Sequence, residues 1–421
     1  MTILKSFISV SLAATMASAA FAENIAITGG TAFTEGGKGK VENATVLIKD
    51  GKFEGVSAGG AVPSGYRTVD ASGKWVTVGF MASGTTLGLS EVSLSGGLND
   101  SRPSAKNSIG MEVSNAFNPA TVIIPITRIE GVTRAVTGFS GGKDMWRGQG
   151  SVIALFGDDM IVRHNAFVYV DMDEGAARSN GGSRAALWDS VITKLEGARP
   201  KQEDADKKDA DKKPKKPKYD SGKTALDRVM KREVPLMISV ERAADIRRVV
   251  GLKDRFDIDI IIVGGAEAWM AADALAAANI PVVLDPTRNL PGSFDSLAAT
   301  GAGAARLAQA GVTVAFLPPG NHNSRLVVQN AGNAVAMGMS WDAAVDALTV
   351  NPAKIFGVAD SYGTMSAGMD ADVVVWDGDP LEVMTSPDAV FIRGEEVPLV
   401  SRQTKLRDRY KDIPRAPGMK R

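Results

Sequence analysis

Beyond residue 23 the chain starts with short apolar runs cut by turn residues, and the runs alternate in the way strands do. Thr45-Val-Leu-Ile48 stops at Lys49-Asp50-Gly51, a hairpin signal, and Lys52-Phe-Glu-Gly-Val56 alternates again. Val69 to Val76 forms another strand-like stretch, and a matching set returns near the far end in Ala371-Asp-Val-Val-Val-Trp-Asp377 and Asp388-Ala-Val-Phe-Ile-Arg-Gly394. The pattern in between is different. Apolar runs at 131–136, 151–156, 166–170, 234–240, 258–263, 281–284 and 312–316 alternate with helix-period stretches, which argues for βα units. Helices are predicted over Trp188–Gly197, Thr224–Lys231, Ala266–Ala278 and Trp341–Leu348. With the strand before Gly84 the runs number about eight, enough for a closed (β/α)8 barrel. Spacing alone leaves a doubly wound open sheet as the alternative.

Two segments break the pattern. Arg199 to Lys218 is dense in lysine and acidic residues and has no aliphatic side chain larger than alanine. Such a stretch reads as a solvated insert on the outside of the barrel; docking to an acidic partner or a membrane surface is the lesser reading. At the N-terminus, Lys5, the apolar run Phe7–Ala17 and Ala20-Phe-Ala22 have the order of a cleaved secretory signal, implying a periplasmic protein with no membrane span in the mature chain.

Composition narrows the chemistry. The 421 residues include 48 basic and 48 acidic side chains, so no global charge points to nucleic acid. With no cysteine, disulfides, thiolate metal sites and thiol nucleophiles are excluded. Only two histidines occur, His164 and His322.

The stretch Lys74-Trp-Val-Thr-Val-Gly-Phe-Met-Ala-Ser-Gly-Thr-Thr-Leu-Gly-Leu89 resembles the first barrel strand of the metal-dependent amidohydrolase superfamily, in particular its imidazolonepropionase-like and prolidase-like secreted branch. That family reads roughly Gly-Lys-x-Val-x-Pro-Gly-Phe-Ile-Asp-x-His-x-His-Leu-Gly. A second, more specific likeness is Asn351-Pro-Ala-Lys-Ile-Phe-Gly357 followed by Gly363-Thr-Met-Ser-Ala-Gly-Met-Asp-Ala-Asp-Val-Val-Val-Trp376. Its glycines and aspartates are read as turn residues. The resemblance covers about Asn24 to Pro398 and implies an α/β fold: a (β/α)8 TIM-type barrel with a small β-sandwich built from both chain ends. The expected division is a signal peptide over 1–22, sandwich strands over 23–78, and a barrel over 79–360 carrying the insert 199–218. Returning sandwich strands at 361–400 and a basic tail at 401–421 complete it.

The resemblance also implies a divalent metal, usually zinc, and hydrolysis of non-peptide carbon–nitrogen bonds or of dipeptides. The residues here do not supply that chemistry. Gly84 and Thr86 stand at the two histidines of the first strand, Ser239 at the histidine of the strand 234–240, Gly264 near another, and Pro319 at the aspartate that binds metal and takes the proton from water. Neither Lys143 nor Lys194 is convincing as a metal-bridging lysine. The expectation is therefore no metal and no cofactor, in a pseudoenzyme with a binding or assembly role, as a homo-oligomer or beside a catalytically intact relative. The alternatives are a hydrolase using His322 as base with Glu241 or Glu267 assisting, and a small-ligand-binding module. Glu241, Arg242, Glu267 and Arg325 are the candidate ligand contacts at the mouth. His322 as a loop histidine held by backbone, and His164 as structural, are the plainer readings. Ser239 lacks the Gly-x-Ser-x-Gly setting of a serine nucleophile. Gly148-Gln-Gly150 and Ser140-Gly-Gly142 read as turns, and Gly181-Gly-Ser-Arg184 as a weak anion site opening a helix.

Overall fold

The structure, a computed structural model, describes residues 23–91, 97, 99–105, 108–200 and 220–412. The expected signal peptide and all but the first two residues of the charged insert lie outside them. Two sheets organise the chain. The smaller body holds β1 (Ile25–Glu35), β2 (Lys38–Lys49), β3 (Lys52–Ala58), β4 (Arg67–Asp70) and β5 (Trp75–Val78). The barrel follows with β6 (Phe80–Thr85), β7 (Val132–Thr137), β8 (Trp146–Ala154), β9 (Ile161–Asp171), β10 (Leu236–Val240), β11 (Ile260–Gly264), β12 (Val282–Leu284) and β13 (Val314–Phe316). Then β14 (Val373–Trp376), β15 (Pro387–Ile392) and β16 (Glu395–Glu396) return to the first sheet.

That first sheet runs β16-β15-β14-β5-β1-β2-β3, with β4 also paired to β1. Both chain ends therefore build it, as expected. Its two halves join where β14 pairs antiparallel with β5, Val375 opposite Val76. β1 changes partner along its length: Ile25–Thr28 pair with β4, and Thr31–Phe33 with β5. The switch falls at the irregularity around Gly29 and Gly30, where Gly29 has φ +82°.

The barrel sheet runs β6 to β13 in chain order. β11 is buried at all but its last position, which is why Ile260-Ile-Ile-Val263 reads as a continuous apolar run, whereas β7 is buried throughout although it carries Thr133, Arg134 and Thr137. β6 and β13 lie side by side without a hydrogen-bonded ladder, so the barrel is nearly closed. The turn at Leu348 and the helix Val350–Ile355 after it bridge that seam: Met81 N–H donates to Leu348 O (2.8 Å) and Asn351 Nδ2 to Val314 O (2.9 Å).

One strand departs from the all-parallel expectation. β8 runs antiparallel to both neighbours. The loops on its two sides, 138–145 and 155–160, are too short for the dozen or more residues a parallel crossover needs. Gly148-Gln-Gly150, read as a turn, lies inside this strand. Gly150 is required there because a Cβ would enter the ring of Phe167. The predicted helix Ala266–Ala278 divides into a 3-10 turn, Ala268–Ala271, and a short helix, Ala272–Ala277. The other helices appear at Arg184–Ala198, Ser221–Met230 and Trp341–Asp346. The basic tail forms a helix, Arg402–Tyr410, with no buried residue. No helix among the described residues is long and apolar enough to cross a membrane.

The two bodies are clamped by a buried arginine. Arg134 on β7 reaches Asp372 (Nε to Oδ2, 2.9 Å) and Asp370 (Nη2 to Oδ2, 2.7 Å) and lies over the Tyr362 ring at 4.6 Å. Arg134 and Asp372 are both fully buried. These aspartates were read as turn residues; instead they neutralise a cation with no access to water.

Candidate functional site

Seven parallel strands end at one mouth, and Gly84, Ser239 and Gly264 sit at that end of their strands. Ser239 pairs with Val263 and Val240 with Gly264, so β10 and β11 end level. Leu317, just past β13, donates its N–H to Leu284 O at the end of β12 (2.9 Å). A Cβ on Gly84, at the end of β6, would overlap Leu317 Cδ2. Gly84, Ser239, Gly264 and the segment leading to Pro319 thus face one end of the barrel.

The space that ligating side chains would need is occupied. Gly84 has φ +88°, a backbone conformation that suits glycine, and the Leu317 side chain lies where a substituent would start. Gly264 has φ +87°, and the Glu241 carboxylate stands 2.6 Å from its would-be Cβ. Glu241 is itself held: Oε2 accepts from Ala266 N–H (2.8 Å) and Oε1 pairs with Arg288. Glu267 is buried and accepts from Ala243 N–H (2.9 Å) and Ala298 N–H (3.1 Å). That ties the first turn of the helix Ala243–Phe256 to the loop after β12. Neither carboxylate is left as a free base.

A second set of mouth residues escaped the sequence reading. Because β8 runs backwards, its first residues lie at the mouth, and Arg147 there pairs with Asp171 at the end of β9 (Nε to Oδ2, 2.5 Å). Ser239 on β10 lies opposite Asp171 in register, so Arg147, Asp171 and Ser239 bring β8, β9 and β10 together in one polar cluster beside Tyr169. Burial, and then the nearby Asp173, hold the Asp171 carboxyl above its ordinary value, against the pull of Arg147. Burial and then Asp171 push the Tyr169 phenol well up, so it stays a neutral hydrogen-bond donor. Arg147 Nη1 is buried without a partner. Asp285, just after β12, accepts from Thr287 N–H (2.9 Å) and from Asn330 Nδ2 (3.2 Å), which also donates to Leu317 O (3.0 Å). Asp171 and Asp285 were legible in principle, since each is a carboxylate directly after an apolar strand. Arg147 was not, because its place depends on the direction of β8.

The remaining candidates disperse. His322 is exposed in a 3-10 turn, Asn321–Leu326, with no hydrogen bond or ion pair among the described residues. Pro319 is exposed, and Thr86 is buried beyond β6. Arg242 turns from the mouth to Asp245 (2.9 Å). Arg325 lines a small cavity with Glu130, Trp376 and Leu381 on the outer wall. His164 is exposed in the other half of β9 from Asp171. Lys194 is on the outer helix Arg184–Ala198. The glycines before that helix serve its cap: Ser183 Oγ accepts from Ala186 N–H (3.2 Å).

A family metal does not fit these residues. Among the described residues no three His, Cys, Asp or Glu side chains come together as a metal would require. The mouth's own acids, Asp171, Glu241, Glu267 and Asp285, are each committed to an arginine or to backbone N–H groups.

Comparison with known proteins agrees with the fold. The sequence pattern of the amidohydrolase family matches residues 287–397. An amidohydrolase from Hapsidospora irregularis, TasK, is 40% identical over 72 residues, 17% of this chain and 7% of that protein. The chain thus spans less than a tenth of that relative. The crystal structure of an amidohydrolase from Thermotoga maritima superposes with a TM-score of 0.79 at 26% identity, over 90% of this chain and all of that one. Molinate hydrolase (TM-score 0.54, 19% identity, 95% of this chain and 99% of that one) shares the fold, as does a prolidase complexed with N-methylphosphonate-L-proline (0.52, 14%, 89% and 99%).

Proposed function

We infer that this chain, a member of the amidohydrolase family, works without a catalytic metal, as an exported binding or assembly protein descended from hydrolases of carbon–nitrogen bonds. One observation carries the reading: the strand ends where the family places its ligands are filled by side chains with other work. Leu317 lies over Gly84 and Glu241 over Gly264, while Ser239 stands in register between Asp171 and Val263. A metal entering here meets leucine methyls and carboxylates already paired, with no imidazole beside them. Activation of a water has no residue to carry it either. Pro319 has no proton to exchange, and His322 stands exposed with no carboxylate partner among the described residues to orient it. The polar cluster of Arg147, Asp171, Tyr169 and Ser239 offers hydrogen bonds and charge, which suits recognition of a polar group better than turnover. Export rests on the order of Lys5, the apolar run and Ala20-Phe-Ala22.

The test is metal analysis of the purified protein together with thermal unfolding in the presence and absence of EDTA. Substoichiometric zinc, manganese and iron, and an unfolding midpoint that EDTA does not move, are expected. Stoichiometric metal, together with a dipeptidase activity that His322→Ala abolishes, would overturn the reading.

A further inference from the structure

The loop between β12 and the helix Gly303–Gln309 combines features that do not belong together in a solvated segment. It is pinned from beneath. Asp295 is buried and paired with Arg184, which also reaches Asp245 (3.3 Å). Ser296 is fully buried, Ala298 N–H is held by Glu267 (3.1 Å), and Ala298 O accepts from Trp269 Nε1 (2.9 Å). From this fixed base Leu290, Phe294 and Leu297 project into solvent, 74%, 81% and 62% exposed. The patch continues on neighbouring elements. Met270 follows Trp269 and is 44% exposed, and Met337, beside Gly301, is 50% exposed. A loop ordered by buried ion pairs while presenting a phenylalanine and two leucines to water marks an interaction surface.

We propose that this patch is the two-fold interface of a homodimer, seated on the rim of the barrel mouth. The size of the patch favours a second folded chain over a small ligand. Covering the exposed parts of the five side chains removes on the order of 600 Å², against about 800 Å² per partner in a standard interface. An aromatic side chain at the centre with methionines around it is the composition of an interface core. The charges at its edge are self-complementary. Arg306 lies over the Trp269 ring at 4.3 Å, and Arg247 donates to Met270 O (2.7 Å). Both are exposed and lack a carboxylate among the described residues, and Asp273, three residues past Met270, is exposed with no ion pair among them. A two-fold contact sets each copy's arginines towards the partner's Asp273 while apolar faces apolar. Arg288 of the same loop holds Glu241 over Gly264, so the dimer fixes the loop that closes the mouth. This rests on the assembly role proposed above and names its surface.

The experiment is light scattering on the eluate of a sizing column, over a dilution series of the purified protein. A mass twice that of the purified chain is expected at high concentration, where the full 421 residues weigh 44.1 kDa and a chain without residues 1–22 correspondingly less. Phe294→Ser combined with Leu297→Ser raises the dissociation constant at least about a hundredfold and leaves the unfolding midpoint of the monomer unchanged, as befits exposed positions. Met384→Ser, at a side chain 89% exposed elsewhere, leaves the dimer intact. A monomer at every concentration overturns the proposal, and so does a dimer indifferent to the double substitution. Binding of a monomer to phosphatidylglycerol vesicles, lost in the double variant, also overturns it by assigning the patch to a lipid surface. Metal content is measured on the same samples. A dimer carrying stoichiometric metal would refute the metal-free reading and leave the interface standing.

Discussion

If Glu241 closes the ligand position at Gly264, giving that position a side chain must displace the carboxylate, and the cost can be worked out. In Gly264→Ala the new Cβ lies 2.6 to 3.0 Å from Glu241 Oε1, Cδ and Oε2, closer than a Cβ tolerates. Holding alanine at φ +87° costs about 1–2 kcal/mol. Expelling the carboxylate breaks its bond from Ala266 N–H and its contact with Arg288, about 1.5–3 kcal/mol for charge-assisted bonds at a largely buried site. The expected loss is about 2.5–5 kcal/mol by urea unfolding. A double-mutant cycle separates the two causes. In a Glu241→Ala background the carboxylate is already gone, and Gly264→Ala should then cost only the backbone strain, about 1–2 kcal/mol. A cycle additive to within about 0.5 kcal/mol would refute the reasoning, because the glycine would then be needed for its backbone alone. Histidine at 264 meets the same obstacle, so restoring the family's residue there does not by itself restore a ligand.

Other predictions concern the junction and the pH response. Arg134→Met leaves Asp372 buried without its cation, and an unfolding free energy lower by about 3–5 kcal/mol is expected; a loss under about 1 kcal/mol would contradict the clamp. Although burial alone would raise it, Asp370 is lowered on balance by Arg134 and Lys52. Its folded value lies below its unfolded one, so its contribution is complete above about pH 4 and fades as the pH falls. The gap between wild type and Arg134→Met should therefore narrow in acid. Asp346 has the opposite sign: burial, joined by Asp342, raises its carboxyl against the Gly37 N–H bond (3.1 Å) and Lys38. Its contribution is present below about pH 4 and lost as the pH rises. Asp346→Asn keeps an acceptor for Gly37, and should be neutral or stabilising at pH 7 with no gain near pH 3; clear destabilisation at pH 7 would refute this.

The barrel was legible because its strands are buried on both faces and read as runs of Val, Ile and Leu that need no partner to be recognised. Their order was legible because βα units join neighbours. The direction of β8 was not, since Ser151 to Phe156 reads the same either way and only the short loops at 138–145 and 155–160 decide it. With that direction went Arg147. The joining of both chain ends in one sheet came from the resemblance, since nothing local in Trp75–Val78 announces its pairing with Val373–Trp376. At the mouth, sequence could single out Gly84, Ser239 and Gly264 but not the side chains that lie against them. Leu317 carries no polar signal, and Glu241 reads equally well as a catalytic acid or as a filler.

If the chain works without a metal, as proposed, the packing around these positions distinguishes a rebuilt site from an eroded one. Erosion alone leaves voids or buried polar groups without partners, because nothing selects what fills the space. Here Glu241, Glu267, Asp285 and Asn330 each have a bonded partner, and Leu317 fills the place beside Gly84. The residues of the opening strand that match the family do different work from the ones that differ. Gly79 packs on Thr133, donates its N–H to Asp372 O (3.0 Å), and accepts from the Tyr362 hydroxyl, while Phe80 stacks on Trp376 at 5.3 Å. These contacts fasten the barrel to the small sheet and depend on no metal. The positions that fasten the strand are therefore separate from Gly84 and Thr86, which on the proposed reading is how ligands could be exchanged for packing while the strand kept its place. Among the described residues Arg147 Nη1 is left without a partner in the mouth, as Ser83 Oγ is beside Gly84 on β6. On the proposed reading the cluster around Arg147 is where a ligand would still find something to bind.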